Sequence, residues 1–257
     1  MPHRKWIAAL VLGLTAATAS AADWVLVESP HFRLLARSAK SMAQDKVQDL
    51  ERLHQAMLLT LGATETLARP PFPIVMSSDP ALIGRVVPDL RKRQLAGLFV
   101  PRADGSQAFV IHNVRAAGEN FTGKVLFHEY AHRVMAQYAR ISYPVWYVEG
   151  FAEYFGATLI DRDGVEIGAG NESASILAQR TWLDPAQLLN PKFAYTGQKD
   201  LDERFLDVFY AQSWLLTHYV LSKTERTQRF NEYFIALPPA RTRSSPSSRP
   251  PALRPSS

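Results

Sequence analysis

The pattern of apolar and polar residues predicts a change from strand to helix early in the chain. Two short segments rich in β-branched, aromatic and large apolar residues, separated by a Ser-Pro turn signal, predict strands at 24–28 and 32–36. From 38 to 61, apolar residues recur every three or four positions among charged ones, which predicts a helix that ends at Gly62. A strand layer followed by a long amphipathic helix is therefore expected.

Further strand signals occupy the middle of the chain, and helical periodicity dominates the remainder. Strands are predicted at 72–76, 98–101 and 107–112, the last two joined by a turn at 103–106. Helices are predicted at 122–140, 145–158, 172–180, 205–222 and 225–236. Strands first and helices second predict an α+β fold, in which a small antiparallel or mixed sheet precedes a mainly helical half and the helices lie on one side.

The amino-terminal segment has the composition of a leader. Within 1–22, two basic residues precede an uncharged run of fourteen residues, and small residues surround Ala21. This predicts a signal peptide cleaved after Ala21 or Ala22, and a mature protein in the periplasm or outside the cell. An uncleaved membrane anchor is the alternative.

The carboxyl-terminal segment, 237–257, contains six prolines, six serines and four arginines, which predicts a disordered tail. A plain linker and the product of a shifted reading frame are both compatible with that composition. The two ends hold six of the 29 basic residues and no acidic ones, so 23–236 carries 23 basic against 24 acidic residues. This near-neutral body, the predicted domain, gives no reason to expect nucleic acid as a partner.

One predicted helix carries a pattern that suggests metal chemistry. His128, Glu129 and His132 form a His-Glu-x-x-His motif within a segment of helical periodicity. Histidines four residues apart project from one face of a helix, so both rings can reach one metal ion while the glutamate contacts a metal-bound water. Such a site needs a third protein ligand.

The next predicted helix offers that ligand. Glu149 and Glu153 lie four residues apart in an otherwise aromatic and apolar segment that follows Pro144. Buried carboxylates are costly unless they are paired or bind a metal, so we expect a cation facing Glu149. The alternative is that both glutamates line an exposed face. The absence of cysteine agrees with a site made of histidine and glutamate.

The two motifs together resemble those of the gluzincin metallopeptidases. The sequence HEYAH at 128–132 is followed by WYVEGFAEYF at 146–155, and the second motif of that family, W-x-x-E-G-x-A, contains its third zinc ligand. The chain is similar to bacterial peptidase MA-like proteins, which are exported domains with a small strand layer ahead of the zinc helices. The resemblance implies Zn²⁺ held by His128, His132 and Glu149, in an endopeptidase-like enzyme that cleaves peptides or proteins.

Further roles follow from the resemblance and from the chemistry of the ligands. Glu129 would be the general base, and Glu153 would orient a ligand histidine through its second ring nitrogen. Tyr210 is the first candidate for a donor to the oxyanion and His218 the second, although Tyr210 could equally be a core residue. The strand at 107–112 would form the sheet edge that pairs with an extended substrate, or a plain edge.

Two other interpretations remain open on the sequence. The first is a zinc-binding interaction module of the cell envelope that no longer turns over substrate; Glu129 argues for an enzyme, because a structural zinc needs no base. The second is a coincidental motif on an α+β scaffold, for which Glu149→Ala would leave the metal content unchanged.

Overall fold

The structure of the chain is a computed structural model, and it describes residues 23–64, 70–90, 95–102, 105–112, 121–138, 143–169, 172–189 and 203–236. The predicted signal peptide at 1–22 and the predicted tail at 237–257 lie outside the described residues. Within the described part, no helix is both long enough and apolar enough to cross a membrane.

A five-stranded mixed sheet forms the amino-terminal layer. Its strands are β1 (Trp24–Glu28), β2 (Phe32–Arg37), β3 (Phe72–Ser77), β4 (Gly97–Val100) and β5 (Gln107–Ile111). They are arranged in the order β1-β2-β3-β5-β4, with antiparallel pairs at both ends and parallel pairs between β2, β3 and β5. The five predicted strands are confirmed, each with its ends within one residue of the prediction.

Side chains that alternate along the strands give the sheet a main buried face. In β2, Phe32, Leu34 and Ala36 are fully buried, whereas Arg33 and Leu35 between them are exposed. Successive strand residues point to opposite faces, so the buried set faces the helices that cover this side. Most of the protein's core is therefore built between this face and the helical half.

The long helix α1 (Lys40–Leu61) covers part of that face through a stripe of buried residues at three- and four-residue spacing: Ala43, Val47, Leu50, Leu53, His54 and Met57. It begins two residues later than predicted and ends as predicted at Gly62. The φ of Gly62 is 60°, a left-handed conformation that glycine adopts without steric cost.

The helical half contains the predicted helices with ends within two residues of the predictions. In chain order the described α-helices after α1 are α2 (Leu82–Val86), α3 (Phe121–Tyr138), α4 (Val145–Gly156), α5 (Glu172–Gln179), α6 (Pro185–Leu189), α7 (Glu203–Leu221) and α8 (Thr224–Ala236). A small hairpin of β6 (Leu159–Ile160) and β7 (Val165–Glu166) follows α4. The hairpin, α2 and α6 were not predicted, because segments this short carry little periodicity.

One helix departs from the predicted segregation of helices to a single side. Ile83 of α2 packs against Phe109 and Ile111 of β5 on the second face of the sheet, away from the main core. The neighbouring Ala108 and Val110 are buried in the main core, so β5 is covered on both faces. The expectation that all helices lie on one side is therefore wrong, and the physical reason is that a parallel central strand needs apolar cover on both faces.

The edge strands of the sheet are β1 and β4, so the expectation that 107–112 forms the edge is wrong. Strand β5 pairs with β3 on one side and with β4 on the other. The turn between β4 and β5 predicts their pairing, but it does not determine which of the two lies next to β3. That choice depends on contacts between distant parts of the chain.

Candidate metal centre

Two neighbouring helices bring three side chains to one point. His128 and His132 project from α3, and Glu149 projects from α4. The Nε2 atoms of the histidines are 3.1 Å apart, and the Glu149 Oε2 lies 3.7 Å from that of His128 and 3.6 Å from that of His132. Ligand atoms about 2.0–2.1 Å from a tetrahedral zinc are roughly 3.3 Å apart. These three residues fit that geometry and could hold a metal ion.

A glycine allows α3 and α4 to approach each other at this site. A β-carbon on Gly156 would lie 3.3 Å from the Cβ of His128 and 3.3 Å from the backbone oxygen of Lys124. Ala131 of α3 and Ala152 of α4 are fully buried in the same core cluster. Small residues between the helices therefore bring the carboxylates of α4 within reach of the histidines of α3.

A second close contact fixes α4 from the opposite direction. A β-carbon on Gly150 would overlap the backbone oxygen of Ser213 and the hydroxyl of Thr217, both on α7. The side chains of Ser213 and Thr217 are fully buried. Because Gly150 follows Glu149 directly, the packing of α7 holds the turn of α4 from which Glu149 projects.

Glu129 is buried between the metal-binding group and the edge strand. Only 6 % of it is exposed, and the backbone N–H of Phe99 in β4 donates to its carboxylate. The backbone of Gly97 is so close that a β-carbon there would overlap the Glu129 carboxylate. Burial, helped by the negative charge of Glu149, raises the pKa of Glu129 to about 7 against the lowering effects of His128 and the Phe99 N–H. A carboxyl group with this pKa can exchange protons near neutral pH.

The titration of the metal-binding group follows from burial and from the partner of each residue. Burial lowers the pKa of His132 to about 4. Burial also acts against the charged form of His128, but hydrogen bonds to Glu149 and Glu153 outweigh it and hold its pKa well above the ordinary value. Burial opposes ionisation of Glu149 as well, yet its hydrogen bond with His128 and the positive charge of that ring lower its pKa. A neutral His132 and an ionised Glu149 are forms that bind metal, whereas His128 would release a proton on metal binding.

Glu153 contacts the ring nitrogen of His128 that faces away from the metal position. Its Oε1 lies 3.1 Å from the His128 Nδ1, as predicted from the four-residue spacing to Glu149. The side chains of Glu149 and Glu153 are only 22 % and 12 % exposed. The alternative that both line an exposed face is therefore wrong.

Both candidate oxyanion donors lie on α7. Tyr210 is half-buried, one helical turn before Ser213, which contacts α4. The His218 ring lies 5.3 Å from the ring of Trp214 and 5.6 Å from that of Tyr154, between α4 and α7. The structure thus brings together His128, His132, Glu149 and Glu129, whereas the part played by Tyr210 or His218 stays a prediction.

Two residues of the site were not singled out in the sequence. Gly97 approaches Glu129, and the Phe99 ring stacks on the His132 ring with centroids 6.1 Å apart and planes at 29°. A glycine within a short strand is a weak indication that another group approaches the backbone closely. Nothing in the sequence relates β4 to α3, because their contact joins segments separated by more than twenty residues.

No model of a known protein family matches the chain, and a search of curated proteins gives no match either. The similarity to gluzincins rests on the two motifs alone. Proposals about function therefore depend on the geometry and the chemistry of the site.

Proposed function

We propose that the protein is a zinc-dependent metallopeptidase of the gluzincin type that hydrolyses peptide bonds. The proposal is carried by one observation: three ligand side chains converge within metal-binding distance, and Glu129 is buried beside them. Two histidines and one glutamate form a borderline nitrogen and oxygen donor set that suits zinc. Three protein ligands leave a coordination position for water or substrate, as catalytic zinc sites do.

Glu129 is the proposed general base. A zinc ion held by His128, His132 and Glu149 would lower the pKa of a bound water and polarise the substrate carbonyl. Glu129 accepts the proton of the attacking water and delivers it to the leaving amine. Its contacts with the backbone of Gly97 and Phe99 hold the carboxylate in one position, which a proton-transfer group requires.

The edge strand β4 is the proposed pairing surface for an extended peptide substrate. The Ile111 N–H donates to the Ala96 carbonyl, and hydrogen-bonded pairs alternate along an antiparallel ladder. The backbone polar groups of Gly97 and Phe99 therefore point away from β5. The Phe99 N–H donates to Glu129, which leaves the Phe99 carbonyl and the polar groups of Gly97 at the open edge. Strand β4 thus takes the role that the sequence suggested for 107–112.

The proposed location is the periplasm or the cell exterior, and the proposed substrate is a peptide or protein. The location rests on the composition of residues 1–22. The substrate class rests on the resemblance to gluzincins and on the open edge beside the base.

The test compares purified wild-type protein with Glu129→Gln, using Glu166→Gln on β7 as an exposed glutamate control. Both substitutions should retain zinc, while Glu129→Gln should lower the hydrolysis of a broad peptide library by about 10²–10⁴-fold. If wild-type protein binds zinc but cleaves no peptide, the alternative of a zinc-binding interaction module is supported instead. A wild-type protein that binds no zinc would contradict both functions.

A further inference from the structure

A lysine not used in the proposed chemistry lies directly behind the metal-binding group. Lys124 is on α3, one helical turn before His128. Its Nζ lies 3.5 Å from the Oε2 of Glu153, while the other oxygen of the same carboxylate lies 3.1 Å from the His128 Nδ1. Glu153 therefore bridges two side chains of the neighbouring helix through its two oxygens.

Lys124 is itself held by a second carboxylate. Its Nζ lies 2.8 Å from the Oε2 of Glu172, the first residue of α5. A series of contacts thus runs from Glu172 through Lys124 and Glu153 to His128. It connects α5, α3 and α4, so the position of the Lys124 ammonium does not depend on its own helix alone.

The charge of Lys124 matters because Glu153 is only 12 % exposed. A buried carboxylate is costly unless it is paired, and the Lys124 ammonium is a cationic partner 3.5 Å from its Oε2. The Glu153 carboxylate accepts the N–H of the His128 Nδ1, so the Nε2 is the ring nitrogen that faces the metal position. Lys124 therefore holds the carboxylate that orients the His128 ring.

The two histidines are supported differently. The ring of His132 stacks on Phe99 of the edge strand, whereas the ring of His128 is held by the carboxylate of Glu153. Loss of the Lys124 charge should therefore act mainly on His128, because Glu153 contacts that ring directly. Removal of such an outer carboxylate typically weakens metal binding by about 10–100-fold.

We propose that Lys124 is a positioning residue of the metal centre: it holds the Glu153 carboxylate against the His128 Nδ1 and thereby sets zinc affinity. Glu172 supports it by fixing the other side of the ammonium. The inference rests on the proposed zinc site, but it does not require that the protein cleave peptides.

The test measures the zinc dissociation constant by chelator competition and the absorption spectrum of the Co²⁺-substituted protein. Lys124→Met should weaken zinc binding by about tenfold and change the Co²⁺ spectrum, because the His128 ring is no longer fixed. Lys124→Arg should restore most of the affinity, because it keeps the charge. Lys46→Met is the matched control, since Lys46 forms a comparable half-buried pair with Asp49 at 3.2 Å on α1.

Wild-type affinity and an unchanged Co²⁺ spectrum in Lys124→Met would overturn the inference. If Lys124→Met fails to fold, Lys124→Gln takes its place, because it removes the charge but keeps a hydrogen-bond donor. Weaker zinc binding with a changed Co²⁺ spectrum would then support the inference, and wild-type behaviour would overturn it. Zinc binding that depends on Lys124 in a protein that cleaves no peptide would support the inference and reject the proposed peptidase function. Absence of zinc binding by wild-type protein would reject both.

Discussion

The backbone of Gly97 lies against the carboxylate of Glu129, so closely that a β-carbon at position 97 would overlap it and would also lie 2.7 Å from the Val125 Cγ1. This contact joins the edge strand β4 to α3 at the proposed base. The backbone N–H of Phe99, two residues further along β4, donates to the same carboxylate. A substrate backbone paired with β4 would therefore lie next to the group that moves the proton.

The Gly97→Ala substitution is expected to lower peptide hydrolysis by at least about tenfold, because the added methyl group displaces Glu129 from its position. Zinc content should remain that of wild type, since the ligands themselves are untouched. The measurement is kcat/KM alongside metal content. Gly164→Ala, at a glycine with open space around it, is the control; equal activity of both variants would show that Gly97 does not position the base.

The Glu149→Ala substitution should remove the third ligand and prevent stable zinc binding. Zinc at about 100 times its dissociation constant stabilises a protein by about 2.7 kcal/mol, so added zinc should raise the melting temperature of wild type. It should not do so for Glu149→Ala. Glu166→Ala on β7 should respond like wild type, and a zinc response retained in Glu149→Ala would exclude Glu149 as a ligand.

The Tyr210→Phe substitution tests the proposed oxyanion donor. If the phenol donates to the oxyanion, its removal should lower kcat by about 10²–10³-fold and leave KM and zinc content nearly unchanged. An unchanged kcat would identify Tyr210 as a core residue, and His218→Phe would then be the variant to measure. Thermal unfolding of each variant separates loss of chemistry from loss of fold.

The Gly150→Ala substitution is expected to destabilise the protein by about 3 kcal/mol, because the new methyl group would overlap Ser213 and Thr217. It should also weaken zinc binding, since Glu149 is the preceding residue and moves with α4. Denaturant unfolding measures the first effect and chelator competition the second. Gly164→Ala should show neither; a stability of Gly150→Ala equal to that control would mean that α4 and α7 are not in close contact.

The pairing of Glu51 with His31 should make stability depend on pH. The Oε2 of Glu51 lies 2.5 Å from the His31 Nδ1 and its Oε1 accepts from the His31 N–H at 3.0 Å. Burial acts to raise the pKa of Glu51, but hydrogen bonds from Ser29 and His31 lower it below its ordinary 4.5. Ionised Glu51 therefore stabilises the fold above pH 4.5, and this contribution is lost as the pH falls through the lowered pKa.

The corresponding measurement is the free energy of unfolding of wild type and Glu51→Gln between about pH 6 and about pH 3. Wild type should lose more stability on acidification than Glu51→Gln, which has no charge to lose at this position. Glu166→Gln, which alters an exposed glutamate, should follow wild type. Parallel curves for wild type and Glu51→Gln would show that the pairing with His31 contributes nothing to the pH dependence.

Much of the metal-binding group could be predicted because helical spacing is a local property. His128 and His132 are four residues apart, as are Glu149 and Glu153, so each pair shares a helix face wherever the helix lies. The end of α1 at Gly62 was predictable for the same reason, since a left-handed glycine stops a helix through its own backbone.

The sheet was less predictable because strand order depends on distant contacts. The apolar run of β5 is compatible with an edge or a central position, and only its pairing with β3 makes it central. The helix α2 has five residues, too few for a periodic pattern, yet it covers the second face of the sheet. Local patterns predict the elements but not their neighbours.

Residue types and spacing were sufficient to indicate an α+β fold, two helices with inward-facing ligands, and a glutamate next to the first histidine. Tertiary packing was needed to join Glu149 to both imidazoles, to place Gly97 against Glu129, and to bring Lys124 to Glu153. The physical reason is the range of the contacts. The face of a helix on which a residue lies follows from its neighbours in the chain. The three contacts form only when α3 packs on β4 and on α4, and α4 packs on α7.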